Sequence, residues 1–157
     1  MAGWLRIRIK GQAGDSIRLR FAERLQPDGE IFTKNLRDAH CTDIYVVSGR
    51  EPQDATWAPR FVYHGFRYVE ISGYPNAKTE DFTAEVVDDE MAHTGTFTCS
   101  DETLNQVLRN AFWGIRSNYK GMPVDCPQRN ERQPWLGDHA MGSWGESLFF
   151  NNHALYN

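Results

Sequence analysis

The chain has 157 residues, a hydrophobic fraction of 40% and a formal net charge of -4, so it is long enough for one full domain, or for one small domain and part of another. The aromatic fraction of 13% fits a globular protein and excludes a disordered chain. Lysine and arginine form no concentrated cluster, which argues against a nucleic-acid partner, and no apolar run reaches the length of about 18 residues that a membrane span requires.

The N-terminal half has the two-residue period of β-strands. Apolar residues alternate with basic ones in two early segments, which predicts two strands with one buried face each. Residues 11–15 between them are predicted to form a hairpin loop. Residues 26–29, Gln-Pro-Asp-Gly, are predicted to form a tight turn because proline presets φ and glycine accepts a positive φ. The alternating apolar residues are Leu5, Ile7, Ile9, Ile17, Leu19 and Phe21.

More short strands are predicted downstream, at residues 43–48, 61–63, 67–72, 82–87 and 95–99. Many short strands separated by turns are typical of an antiparallel sandwich or jelly-roll. His64 lies among aromatic residues, where a structural role is favoured over a functional one. The surrounding aromatic residues are interpreted as sandwich core and edge cover, with a sugar-binding aromatic face as the alternative. They are Trp57, Phe61, Tyr63, Phe66 and Tyr68.

The period changes near residue 99. Apolar residues from Leu104 to Ile115 follow helical spacing, which predicts an amphipathic helix of four or five turns with Ser100 as its N-cap. A second helix is expected from His139 to about Phe150, with Asp138 as its N-cap. We therefore expect a β-sandwich module in residues 1–98 and a helical domain in residues 99–157. The sequence ends without a C-cap glycine, so we expect it to be cut within the helical domain.

Other features concern localisation and the cysteines. The N-terminus lacks the apolar region of a signal peptide, which leaves open whether a longer parent is cytoplasmic or periplasmic. The three cysteines are odd in number and widely spaced, so buried or idle thiols are favoured over a disulfide framework or a zinc site. Neither a metal nor another cofactor is expected. The cysteines are Cys41, Cys99 and Cys126.

Residues 123–138 are the most informative segment. Three prolines interrupt any regular helix there, so the segment is predicted to be a shaped loop. Its carboxylates can accept hydrogen bonds from hydroxyl groups, and an indole can cover the C–H face of a sugar ring. Glu131 is a candidate general acid, although pairing with Arg129 or Arg132 is the alternative. Trp135 is either a sugar platform or a core anchor, and Asp138 is either a site residue or a helix cap.

Two stretches resemble a known family. Residues 125–138, Asp-Cys-Pro-Gln-Arg-Asn-Glu-Arg-Gln-Pro-Trp-Leu-Gly-Asp, resemble the catalytic segment of the bacterial α-L-rhamnosidases of glycoside hydrolase family 78. Residues 59–73 are similar to a signature of the β-sandwich module that precedes the catalytic domain in that family. The departures are Asn130, where Asp is common, and Gln133-Pro134, where Leu-Gly is common.

The resemblance implies a jelly-roll-like antiparallel β-sandwich, followed by α-helices that begin an (α/α)6 barrel. It implies hydrolysis of terminal α-L-rhamnose from glycosides or polysaccharides with inversion, with Glu131 as the general acid. Asp125, Arg129, Trp135 and Asp138 match the substrate-binding positions. No residue matches the general base, so the chain alone is expected to be inactive, and its exposed helical faces are expected to associate with one another. The alternative is a non-catalytic carbohydrate-binding β-sandwich module.

Overall fold

The chain is described by a computed structural model that covers residues 1–156. Strands come first and helices follow, as the sequence predicts. The strands of the described chain are β1 Ala2–Arg8, β2 Ser16–Ala22, β3 Arg24–Leu25, β4 Ile31–Phe32, β5 Thr42–Val46, β6 Thr56–Trp57, β7 His64–Gly65, β8 Tyr68–Ser72 and β9 Phe82–Val86. The helices are α1 Glu102–Ser117, α2 Leu136–Ser147 and α3 His153–Tyr156.

The strands form two main antiparallel sheets and one short hairpin. β1 pairs with β6, β7 and β9 in one sheet, and β2 lies between β5 and β8 in the other. Alternate residues of both central strands are buried, because each sheet turns one apolar face inward. Ile7, Ile17 and Leu19 have no exposed surface. The predicted antiparallel β architecture is confirmed.

The predicted hairpin between the first two strands is wrong. β1 and β2 belong to different sheets, so residues 11–15 pass from one sheet to the other. The two-residue period reveals which face of a strand is buried, but not which strand lies beside it. The turn at residues 26–29 is confirmed: β3 pairs with β4, and the Gly29 N–H donates to the Gln26 carbonyl over 3.0 Å.

Three predicted strands correspond to β5, β8 and β9, and two others are wrong. Residues 61–63 and 95–99 contain no strand in the described chain. Phe61 has a φ of 60°, which no strand residue adopts. The two-residue strands β6 and β7 were missed, because a segment of that length has no measurable period.

His64 lies in the core of the β-structure. It is 4% exposed, its Nε2 lies 3.0 Å from Oδ1 of Asp43, and its ring stacks on Phe21 with centroids 4.1 Å apart. Asp43 is on β5 and His64 is on β7, so this buried pair joins the two sheets. The core interpretation of the aromatic residues holds for Phe66, which is 5% exposed, but is wrong for Phe61, which is fully exposed.

The chain divides into two compact units. The β unit comprises residues 2–87 together with 128–130, and the helical unit comprises most of the remainder. In the helical unit, α1 is capped by Asp101, whose Oδ1 accepts hydrogen bonds from the N–H groups of Thr103 and Leu104 over 2.8 and 3.2 Å. The predicted cap at Ser100 is therefore displaced by one residue.

The second helix begins and ends earlier than predicted. α2 starts at Leu136, immediately after the extended Trp135, so Asp138 lies in its first turn and is not its N-cap. Pro134 has no N–H to donate to a helical hydrogen bond, and it disfavours helical conformation in the residue before it. The helix therefore begins only after Pro134, at Leu136. Among residues 1–156, no helix combines the length and the apolar character needed to span a membrane.

Candidate active site

The loop between α1 and α2 is fixed at its start by burial. Val124 and Cys126 are 4% and 3% exposed. The Val124 N–H donates to the Asn118 carbonyl, 2.8 Å away, which ties the loop to the end of α1. This anchoring places the following carboxylates on a defined backbone.

Asp125 closes the middle of the loop. Its Oδ1 accepts a hydrogen bond from the Gln133 N–H over 2.7 Å, while its own N–H donates to the Gln133 carbonyl over 3.0 Å. Arg132 has a φ of 47°, and its Nη2 donates to the Pro127 carbonyl over 3.0 Å. Residues 125–133 therefore form a closed turn stabilised by both backbone and side-chain bonds.

This turn brings together two acids and a thiol. The possible ligand atoms of Asp125, Cys126 and Glu131 all lie within 4.8 Å of one another. Both acids are half-buried and the cysteine is buried. Two carboxylates at this separation repel each other when both are ionised. The arrangement therefore suits proton donation by one acid and hydroxyl recognition by the other.

Asp125, Cys126 and Glu131 are also close enough together to be considered as ligands of one metal ion. A buried thiol beside two carboxylates is a mixed set, since soft cations prefer thiolates and hard cations prefer oxygen ligands. One of the two carboxylates, that of Asp125, already accepts a hydrogen bond from the Gln133 N–H, which is compatible with binding either a hydroxyl group or a cation.

Trp135 extends the cluster towards solvent. Its indole Nε1 donates to Oε1 of Glu131 over 3.1 Å, and the side chain is 50% exposed. The core-anchor interpretation of Trp135 is therefore wrong. An exposed indole face held beside a carboxyl group is an arrangement suited to stacking on a sugar ring.

The other two predicted site residues differ in their surroundings. Asp138 is exposed in the first turn of α2, where its negative charge complements the helix dipole, and it makes no hydrogen bond or ion pair within residues 1–156. Arg129 is half-buried and belongs, with Gln128 and Asn130, to the β unit. In that unit the Cys41 thiol lies 3.0 Å from the Gln128 carbonyl oxygen.

The sequence analysis missed a polar network in the helical unit that extends from the buried Tyr119 and Asn152 to the exposed Tyr156. The hydroxyl groups of Tyr119 and Tyr156 both donate to Oε2 of Glu146, and Asn152 donates to the Tyr119 hydroxyl over 3.3 Å. Burial raises the pKa of Tyr119 and raises that of Tyr156 to about 12, so both phenols remain donors. The four residues are scattered along the chain, and no short motif signals them.

Comparison with known proteins gives one consistent result. Residues 1–88 match the bacterial alpha-L-rhamnosidase concanavalin-like domain, and residues 92–157 match the bacterial alpha-L-rhamnosidase 6 hairpin glycosidase domain. An alpha-L-rhamnosidase of Formosa agariphila is 40% identical over 96% of this chain and 16% of its own length. One of Streptomyces avermitilis is 43% identical over 88% of this chain and 13% of its own length.

The structural comparison agrees. The crystal structure of the Streptomyces avermitilis alpha-L-rhamnosidase complexed with L-rhamnose is similar to this chain with a TM-score of 0.94 and 38% identity. The similarity covers 99% of this chain and 15% of that one. The chain thus spans about 16% or less of the length of these relatives. Its two matched regions adjoin in the order of the family's sandwich and six-hairpin domains, and the chain belongs to the bacterial α-L-rhamnosidase family.

Proposed function

We propose that a longer parent protein containing this chain is an inverting glycoside hydrolase that removes terminal α-L-rhamnose from glycosides or polysaccharides. Glu131 is its general acid. The observation that carries the proposal is the convergence of the Asp125 and Glu131 side chains on one closed turn, with the Trp135 indole bonded to Glu131.

The local geometry supports an acid role for Glu131. A general acid must hold a proton until the glycosidic oxygen requires it. A side-chain oxygen of Asp125 lies within 4.8 Å of one of Glu131, and the Trp135 indole donates to the Glu131 carboxyl group over 3.1 Å. Glu131 is half-buried, so its carboxyl group is both held in place and accessible to a substrate.

The remaining residues are assigned to substrate binding. Asp125 accepts hydrogen bonds from sugar hydroxyls, Trp135 covers a C–H face of the rhamnose ring, and Arg129 and Asp138 bind further hydroxyls. These roles follow the match of each residue to the family's motif. The structure offers direct support for the pairing of Asp125 and Trp135 with Glu131, while the roles of Arg129 and Asp138 rest on the motif.

Inversion requires a second carboxyl group. In inverting glycosidases the general base lies about 6.5–9.5 Å from the acid, on the opposite face of the sugar, with room for a water molecule. No residue of this chain is proposed as that base. The relatives extend far beyond the matched region, and we propose that the base comes from the parent outside residues 1–157.

The stereochemical outcome tests the reaction type. The parent is incubated with an aryl α-L-rhamnoside, and proton NMR identifies the anomer of rhamnose that forms first. We expect the β-anomer to precede mutarotation. The α-anomer as first product would contradict inversion, and no turnover of any α-L-rhamnoside would contradict the proposed activity.

A second candidate function is carbohydrate binding by the β unit without catalysis, which a groove on that unit lined by Trp4, Trp57 and Phe61 favours.

The division between a sandwich module at residues 1–98 and a helical domain at residues 99–157 also stays a prediction. Limited proteolysis of the parent, followed by mass spectrometry of the fragments, would locate the junction.

A further inference from the structure

The outer side of β1 borders a groove that the proposed reaction does not use. The groove has a volume of about 970 Å³, within the range of small-ligand sites, and lies entirely within the β unit. Its aromatic and charged lining consists of Trp4, Arg6, Trp57, Arg60 and Phe61.

One aromatic side chain of the groove faces solvent to an unusual degree. Phe61 is fully exposed and has a φ of 60°, a backbone conformation that bulky residues rarely adopt. Trp4 and Trp57 are half-buried. Residues held in such rare backbone conformations cluster at ligand clamps and active sites, and a sugar ring can stack on an exposed aromatic face through its C–H groups.

The polar groups of the groove are fixed in place. The indole Nε1 of Trp4 and the guanidinium of Arg6 both donate to the Glu85 carboxylate, at distances of 2.5 to 3.0 Å. These hydrogen bonds raise the pKa of Arg6 and lower that of Glu85. Both groups therefore stay charged and neutralise each other.

Arg60 is different because its charge is uncompensated. The side chain is exposed and makes no hydrogen bond or ion pair within the described residues 1–156. The groove thus carries a surplus positive charge on a chain whose formal net charge is -4. A guanidinium group presents a planar fork of donors that matches the geometry of a carboxylate.

We propose that this groove binds an acidic oligosaccharide containing a uronic acid. The uronate carboxylate pairs with Arg60, and the adjoining sugar rings stack on Phe61 and Trp4. The proposal goes beyond hydrolysis of rhamnosides and does not depend on it. A neutral sugar could accept hydrogen bonds from Arg60 but would leave its charge unmatched, and a purely apolar partner would desolvate that charge without compensation.

Isothermal titration calorimetry on the full chain tests the proposal with two matched probes. The acidic probe is α-1,4-linked digalacturonic acid, and the neutral probe is the corresponding galactobiose. Neither contains rhamnose, so the result is independent of the proposed hydrolysis. We expect saturable binding of the acidic probe and markedly weaker binding of the neutral one. Absence of saturable binding, or equal affinity for both probes, would overturn the proposal.

Variants assign the binding to the groove. We expect Arg60→Gln to weaken binding of digalacturonic acid about tenfold or more, as for a lost hydrogen bond to a charged group, and Phe61→Ala to weaken it about 3- to 10-fold. Arg18→Gln and Ile44→Ala are matched controls, because both residues are exposed on the other sheet. An unchanged affinity in Arg60→Gln, or equal losses in the controls, would refute the assignment.

Two further measurements separate this groove from other sites. Asp125→Asn and Glu131→Gln should leave the affinity for digalacturonic acid unchanged, and a loss in either variant would place the binding in the loop between α1 and α2. The parent should bind the acidic probe as well as the isolated chain does. Loss of binding in the parent would show that the groove is an internal interface, and would overturn the proposal.

Discussion

Glu131 lies at the centre of the candidate site. One of its side-chain oxygens is within 4.8 Å of one of Asp125, and the Trp135 indole N–H donates a hydrogen bond to it. We expect Glu131→Gln in the parent to slow hydrolysis of rhamnosides with poor leaving groups by roughly 10²- to 10⁴-fold, the usual contribution of a general acid. Aryl rhamnosides with acidic leaving groups need less protonation and should lose less activity.

Steady-state kinetics on a series of aryl rhamnosides measures this difference. Glu80→Gln is a matched control, because Glu80 is exposed in the β unit, and its rates should equal those of the wild type. Equal losses across all leaving groups in Glu131→Gln would remove Glu131 from the acid role.

Asp125 has two roles that substitution can separate. Its Oδ1 accepts the Gln133 N–H over 2.7 Å, a bond that asparagine can also accept. We expect Asp125→Asn in the parent to raise KM about tenfold through the loss of a charged acceptor, with thermal stability retained. Asp125→Ala should lower both activity and the melting temperature because the turn opens. Identical effects of the two variants would show that the charge of Asp125 has no separate role.

At the scale of elements, periodicity predicted burial better than it predicted neighbours. The alternation of Ile7, Ile17 and Leu19 identified residues that prove to be fully buried. The same pattern suggested a hairpin between β1 and β2, but sheet pairing depends on contacts distant in sequence. The ends of α2 were misplaced because Trp135 and Leu136 lie outside the apolar stripe from which the helix was recognised.

The candidate site was likewise predictable from the sequence only in part. The loop character of residues 123–138 followed from its prolines, and the motif in that segment pointed to Asp125 and Glu131 as site residues. The network of Tyr119, Glu146 and Tyr156 was not anticipated, since its members lie far apart in the sequence, in the segment after α1, in α2 and in α3. Residue chemistry within a short loop is readable from sequence, whereas contacts between helices are not.

The Asp43–His64 pair joins the two sheets at a buried position. Removing one partner leaves the other buried without its hydrogen bond, which costs about 1–3 kcal/mol. We expect His64→Phe, which keeps an aromatic ring against Phe21, to lower the free energy of unfolding by an amount in this range. Urea unfolding, followed by the far-ultraviolet circular dichroism of the β-structure, measures this change in the free energy of unfolding.

A half-exposed pair on the sheet surface provides the control. Arg20 lies 2.9 Å from Glu70 on the neighbouring strand, with side chains 34% and 39% exposed. Glu70→Gln should change the unfolding free energy by only about 0–1 kcal/mol, because solvent screens such pairs. A loss in His64→Phe no larger than in Glu70→Gln would show that the buried pair contributes little to the joining of the sheets.

At the scale of the whole molecule, the helical unit exposes an extensive apolar surface. Four large side chains of α2 and its flank are mostly exposed. They are Leu136 at 83%, Met141 at 87%, Trp144 at 85% and Leu148 at 70%. Burying each of them would contribute about 1.5–3 kcal/mol, a large amount beside a typical domain stability of about 5–15 kcal/mol. Exposed patches of this kind favour association between proteins.

We therefore expect the isolated chain to associate through α2 and to show no rhamnosidase activity, since no general base is proposed within it. Analytical ultracentrifugation at increasing concentration should reveal oligomers. Hydrogen exchange should show that the backbone amides of β1 and β2 are more protected than those of α2. The double variant Met141→Glu and Leu148→Glu should restore a monomer by adding charge to the apolar surface. The control variant is Ile44→Glu on the β unit, where Ile44 is 58% exposed, and it should not change the oligomeric state. A monomeric wild type whose α2 is protected as strongly as β1 would contradict the prediction, because the exposed side chains would then leave the helical unit stable without a partner surface.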